Sequence, residues 1–473
     1  MWEVHDDFIG VHVVKLSIEK RLQAALPAAS TSRLGRVRYV LELAVPAAGE
    51  QLLSMLVGIV DTFLVGHLGA ASLTAVGLAN QWVMMAMVLF AAVGTGGTAL
   101  VARMVGAGDI KEASRVVVQA LLVAVVTGTC AALVLIWLAE PAMRLMGAED
   151  EALHLGILYL RIVSAVFTFA AVMFVGNACL RGAGDTRTPL WVMAVVNVLN
   201  IIVAWTLING AFGLPRMGVA GSALGAMVGR LVGGLLIVAV LLKGRAGLRL
   251  HWQGIRPDLR VIHRTLRVGL PTSLEQLIFR LGMMGYARVV ASLGTAAFAA
   301  HQVALNGESL SFMPGFGFAI AATTLVGQGL GARDIKRAEQ DGYTAFGIAV
   351  MMMSFMGLIF ILLARPIVGF FTDDPEVIAL GIPPLRLVGL VQPFLASAMV
   401  FSGGLRGAGE TRTPMLVNGI SIWLVRLPLA LLFAQVLPWG LIGAWMAMSI
   451  DLIVRGIWMF ARFRSGHWKT VEI

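Results

Sequence analysis

LRGAGDTRTP, residues 180–189, returns at residues 405–414 as LRGAGETRTP, with a single Asp-to-Glu change. The same 225-residue shift carries Pro46 and Glu50-Gln51 onto Pro271 and Glu275-Gln276, and Leu68-Gly69 onto Leu293-Gly294. It also carries Asp109-Ile110-Lys111 onto Asp334-Ile335-Lys336 and Arg161 onto Arg386. The chain is therefore two copies of one unit, joined almost without gaps. The decamer itself reads as a tight hairpin between helices. Gly182 and Gly184 suit a left-handed helix end, Asp185 or Thr186 suits the next N-cap, and Pro189 suits a first turn.

Outward from the hairpins the sequence is apolar. Of 473 residues, 58% are hydrophobic and 13% charged, with mean hydropathy +0.86, more apolar surface than a water-soluble core could bury. About twelve stretches approach the ~20 residues that cross a bilayer as a helix. Six per copy is an even number, so both copies insert with one orientation. The expected fold is an all-α membrane protein: twelve transmembrane helices in two six-helix bundles, related by a pseudo-twofold along the membrane normal and flanking a central pathway. The expected divisions are a tail over 1–40, bundles over 41–242 and 268–462, a linker over 243–267 and a tail over 463–473.

The formal charge is +10. Placement of the cations gives topology rather than nucleic-acid binding: the outer loops hold only Arg144, Arg216 and Arg365, and most other Lys and Arg fall inside. Both termini are expected in the cytoplasm, in a cell inner membrane. Residues 1–40 lack an early apolar core, so the first span is expected to act as the insertion signal. Cys130 and Cys179 have no metal-ligand spacing, and no cofactor is expected. No lysine follows a glycine, which removes a Walker A loop, and the eight histidines are scattered without HExxH, which argues against an enzyme. Energy is then expected from an ion gradient.

Polar residues inside apolar spans are costly, and each is a functional candidate. Glu50, Ser54, Gly58 and Asp61 follow one another at helical spacing in the first span. Their repeat mates, Glu275, Phe279, Met283 and Tyr286, are largely apolar, which points to cation coupling in the first half. Asn197 and Asn200 form an i, i+3 face able to reach the first span. In the second half Glu275, Glu308, Tyr286 and His301 mark a substrate or cation site, with Glu308 either free for a cation or paired with an interior arginine such as Arg280. Asp451 and Arg455, at i, i+4, are expected to neutralise each other. Gly221, Gly225, Gly229 and Gly233 form a ladder for close helix packing, and Asp109-x-x-Glu112 has the form of a capping box.

Several motifs together resemble the multidrug and toxic compound extrusion family, in its bacterial DNA-damage-inducible and NorM-type branches. They are Val60-Asp61-Thr62 with Gly66-His67-Leu68-Gly69, the two hairpins, Ala299-Ala300-His301-Gln302 with Ser311-Phe312-Met313-Pro314-Gly315, and the run 321–328, AATTLVGQ. The resemblance, from Leu41 to Arg462, implies alternating access and export of small amphipathic cations in exchange for H+ or Na+. It implies a coupling role for Asp61, with Na+ binding there as one form of it, and a matching fifth-span asparagine in Asn200. Where some relatives carry a second acid, this chain has Ala204, so coupling falls to Asp61 or recruits Glu50. A monomer is expected. A flippase for lipid-linked saccharides is the alternative, since that related class shares the two-bundle design.

Overall fold

The computed structural model describes residues 32–250, 256–437 and 439–471. Expectations for residues 1–31, including the insertion signal, and for 251–255 of the linker lie outside the described residues. In the first half α1 (Arg33–Gly66), α2 (Ala70–Gly106) and α3 (Ile110–Trp137) are followed by a short α4 (Ala139–Leu145). Then come α5 (Asp150–Ser164), α6 (Phe167–Gly182), α7 (Arg187–Asn209) and α8 (Val219–Lys243). The second half runs α9 (Leu259–Ala291), α10 (Thr295–Gly331), α11 (Ile335–Leu362), short α12 (Ala364–Phe371) and α13 (Pro375–Gly407). It closes with α14 (Arg412–Val436) and α15 (Gly440–Ser465). Among the described residues the only β pairing is an isolated bridge between Arg245 and Leu248.

Ten of these helices are long and apolar enough to cross a membrane, and α5 with α6 form one further span bent by 55°. The twelfth is α9, less apolar because Glu275, Arg280 and Arg288 sit along it, but occupying the place of α1 in the repeat. The architecture is all-α, with twelve spans in two six-helix bundles. Local chemistry places the ends as expected. Asp109 Oδ1 accepts from the Glu112 amide at 2.9 Å, and its mate Asp334 accepts from Arg337 at 2.9 Å. Gly184 and Gly409 take φ of +92° and +87° at the two hairpins. Gly182 corrects the expectation: it is helical and buried, and a Cβ there would lie 2.5 Å from the Thr98 carbonyl oxygen. Its use is close packing, not turning.

The duplication holds at atomic detail. Thr98 Oγ1 donates to Ala178 O at 2.8 Å, and its mate Thr323 donates to Gly403 O at 2.9 Å. Each half has a large core, the second half a smaller further cluster around Phe401, Phe463 and Trp468, and the first turns of α1 (Val40, Leu43, Ala44) join the large core of the second half.

The halves meet at the hairpin end through main chain. A Cβ on Gly106 would stand 2.0 Å from Gln328 O, and one on Gly331 would stand 1.9 Å from Arg103 O. These are pseudo-twofold mates. Deeper, a Cβ on Gly269 would meet Ala92 O at 1.7 Å, and one on Gly317 would meet Ala44 O at 2.6 Å. Hydrogen bonds cross the same seam: Thr324 Oγ1 to Arg181 O at 2.8 Å, Gln328 Nε2 to Gly182 O at 3.2 Å and Ser273 Oγ to Val88 O at 2.6 Å. A Cβ on Gly58, Gly66 or Gly77, toward the other end, would meet nothing within 4 Å. The main-chain seam closes the molecule at the hairpin end, and we call the side away from it the cleft side.

Candidate functional site

Asp61 lies near the far end of α1, on the cleft side of the seam. The glycine ladder sets what faces it. Gly221, Gly225, Gly229 and Gly233 bring α8 against α7 so tightly that a Cβ on Gly225 would lie 2.7 Å from Ala204 Cβ and 2.8 Å from Asn200 Oδ1. That approach holds Asn200 toward α1 and leaves no room for a carboxylate at position 204. Asn200 Nδ2 donates to both carboxylate oxygens of Asp61, at 3.2 and 3.1 Å, and its own Oδ1 is buried without a partner. Asn197, one turn earlier, donates to the Leu53 carbonyl at 2.7 Å and pins α7 to α1. Arg230 of α8 stands within electrostatic reach of Asp61 and Tyr159, with Nη1 buried and unpartnered. Asp61 is thus a half-exposed carboxylate held by an amide donor, not a solvated acid at a helix end. Among the described residues no three His, Cys, Asp or Glu side chains cluster as a metal site.

Glu50 is elsewhere. It is buried and paired with Arg181 Nη1 at 2.7 Å, while its mate Glu275 pairs with Arg406 Nη2 at 2.6 Å. Each repeated decamer therefore supplies an arginine to the first helix of its own half. The structure thus sets Glu50 in a buried ion pair apart from Asp61, and its mate Glu275 in the matching pair. Glu50→Gln leaves a buried guanidinium uncompensated, a loss of about 3–5 kcal/mol. A lower melting temperature in detergent is the expected outcome, with gradient-coupled transport per folded molecule retained.

The second half is organised around Asp451, fully buried on α15. Asp451 and Arg455 pair at 2.6 Å as expected, and Arg426 joins them at 2.6 Å. Sequence reading missed Arg426 and Ser421. Residues Ser421–Arg426 are a π-helical turn, which puts positions five apart on one face, so both side chains reach the same carboxylate. Asn418 links this centre to Glu275 at 2.5 Å and to Arg455 at 3.5 Å. Tyr286, the mate of Asp61, is buried beneath the Arg426 guanidinium, 5.5 Å from its ring centre. Its ring lies edge-on to His301 at 5.7 Å, and His301 in turn lies edge-on to Trp445 at 5.6 Å. Glu308 faces Arg426 and Arg455, not Arg280, whose Nη2 lies 3.9 Å from Met84 Sδ of the first half. One signal was available for part of this: Glu50 to Arg181 and Glu275 to Arg406 have the same separation, 131 residues.

A family model named MatE matches residues 46–206 and again 271–432, the two copies of the repeat. The chain belongs to the MatE family. Members similar to this MatE chain include a probable multidrug resistance protein NorM of Thermotoga maritima, 35% identical over 91% of this chain and 93% of its own. Another is the multidrug resistance protein PmpM of Pseudomonas aeruginosa, 30% identical over 93% of both chains. Among solved structures, a MOP superfamily transporter from Pyrococcus furiosus superposes with a TM-score of 0.85 at 26% identity, over 91% of this chain and 95% of that one. An outward-facing multidrug resistance MATE transporter matches with the same score, identity and coverage. The MatE chain is a membrane transporter and not an enzyme.

Proposed function

We propose that this chain exports amphipathic organic cations from the cytoplasm in exchange for protons, by alternating access across the inner membrane. The observation that carries the reading is the Asp61 carboxylate, open to the cleft yet held by Asn200 and faced by Arg230. A proton on Asp61 removes the charge that Asn200 and Arg230 attend, so occupancy is read directly by α7 and α8. A cationic substrate draws on the same negative charge, and the two ligands then exclude each other, which is the condition for exchange. Sodium fits less well: the site has one carboxylate, and the guanidinium repels any further cation. The multidrug resistance names of the NorM and PmpM relatives support the substrate class. The basic hairpin end is cytoplasmic by the positive-inside rule, so both termini are inside and the cleft faces out.

Dye uptake into everted vesicles, with a pH gradient or a sodium gradient imposed separately, tests this. Uptake that follows the pH gradient alone is the expected result. Uptake that follows only sodium would replace the coupling ion, and transport of lipid-linked saccharides with no dye movement under either gradient would establish the flippase instead.

A further inference from the structure

Almost every residue of the repeated decamer has a structural use, with one exception in each copy. Arg181 and Arg406 pair with Glu50 and Glu275, Gly184 and Gly409 turn the chain, and Asp185 and Glu410 bond Thr188 and Thr413. Arg187 and Arg412 do none of this. Both are exposed, and among the described residues neither makes a side-chain hydrogen bond or ion pair.

Arg187 instead borders a groove of about 440 Å³ along α1, lined by Leu34, Val37, Leu41, Val45 and Pro46 together with Arg38 and Glu42. Its floor is a stripe at helical spacing, Leu34, Leu41 and Val45, with Arg38 beside it. Thr186 Oγ1 lies 3.4 Å from the Glu42 carbonyl, which fixes the hairpin against the middle of that stripe. The 225-residue shift carries the apolar stripe and its bordering arginine into the second half. Leu259, Leu266 and Leu270 stand for Leu34, Leu41 and Val45, and Arg412 stands for Arg187. Exposure follows the repeat too: Leu34 is 82% and Leu259 76% exposed, Val45 61% and Leu270 51%. Charge does not. Arg38 is offset by Glu42 at 2.9 Å, whereas His263 and Arg267 occupy those two places in the second half, with no acid.

We propose that these are two pseudo-twofold-related binding sites for anionic phospholipid at the basic face of the membrane. The lipid phosphate sits on Arg187 or Arg412, and an acyl chain lies along the adjacent leucine stripe. A guanidinium with no protein partner, at the edge of an apolar groove, offers a fork of donors to a phosphate beside a surface for hydrocarbon. The second site, with His263 and Arg267 at the places of Arg38 and Glu42, holds its lipid more tightly. The inference is independent of what is transported and uses the proposed orientation only to name the cytoplasmic leaflet.

Native mass spectrometry of the full chain, released from detergent after equilibration with phosphatidylglycerol or phosphatidylcholine, counts retained lipids. Wild type is expected to keep two phosphatidylglycerol molecules, Arg187→Gln and Arg412→Gln one each, and the double variant none, with Arg412→Gln losing the slower to dissociate. Arg187→Lys and Arg412→Lys keep two, and melting in lipid-free detergent is unchanged in all variants because both side chains are exposed and unpaired. Equal retention of phosphatidylcholine, or glutamine variants that still hold two, would overturn the assignment. A rise in bound lipid on removing residues 1–31 would overturn it for the first groove, giving that groove to the chain's own N-terminal segment.

Discussion

Replacing Asp61 by Asn is expected to reduce gradient-driven dye accumulation in everted vesicles to that of vesicles without the transporter. Size and shape are preserved, so Asn200 keeps a partner and the fold is unaffected. What is lost is the charge that alternates. The carboxylate accepts from Asn200 Nδ2 through both oxygens, at 3.2 and 3.1 Å, and an asparagine offers only one acceptor there and no titration. Downhill dye exchange survives at a reduced rate, because the seam and cleft do not depend on this residue. Full gradient-driven accumulation in Asp61→Asn, measured beside a melting curve that matches wild type, would sink the assignment.

The second large effect is expected at the seam. Gly331→Val places a branched side chain where even a Cβ lies 1.9 Å from the Arg103 carbonyl oxygen, and the obstacle is helix backbone rather than a side chain able to turn away. Overpacking of this kind costs about 1–3 kcal/mol. The seam is formed in the state with the hairpin end closed, so that cost falls on one conformer and lowers its population roughly 5- to 150-fold. Labelling of a cysteine placed at Gly58, in open space within the cleft, reports it: reaction from the cleft side slows in Gly331→Val while global stability holds. Gly106→Val, the pseudo-twofold mate 2.0 Å from Gln328 O, is expected to do the same. Unchanged labelling in both variants would mean that the seam does not gate access.

The two-bundle plan was legible because both of its signals are one-dimensional. Apolar run length gives twelve stretches, including the one that becomes α9 in spite of Glu275, Arg280 and Arg288, and the 225-residue repeat pairs them six with six. Asn197 and Asn200 were legible as one polar face because i, i+3 spacing is a property of a single helix, and the structure turns that face to α1. Partner choice between helices was not legible. Glu50 stands on the same stripe as Asp61, yet Arg181 arrives from α6 to neutralise it, and no local pattern encodes that meeting. Arg426 escaped because it reaches Asp451 through a π turn, whose five-residue phase differs from the 3.6-residue period used to sort helix faces. The bend between α5 and α6 has no proline to announce it, whereas its counterpart α13 carries Pro383, Pro384 and Pro393.

The main-chain seam also has an electrical meaning. From Ala92 to Gly106, helix α2 climbs about 21 Å at 1.5 Å per residue, and over that height the halves touch without an intervening gap. Water in the cleft conducts and the seam does not, so nearly all of the transmembrane voltage falls across the seam. In the proposed orientation and proton coupling, Asp61, on the cleft side, is then at almost the external potential. A proton reaches it without crossing the field, while the step that reopens the hairpin end moves the field past the bound charge and takes up the ~2.3 kcal/mol per 100 mV that one elementary charge carries.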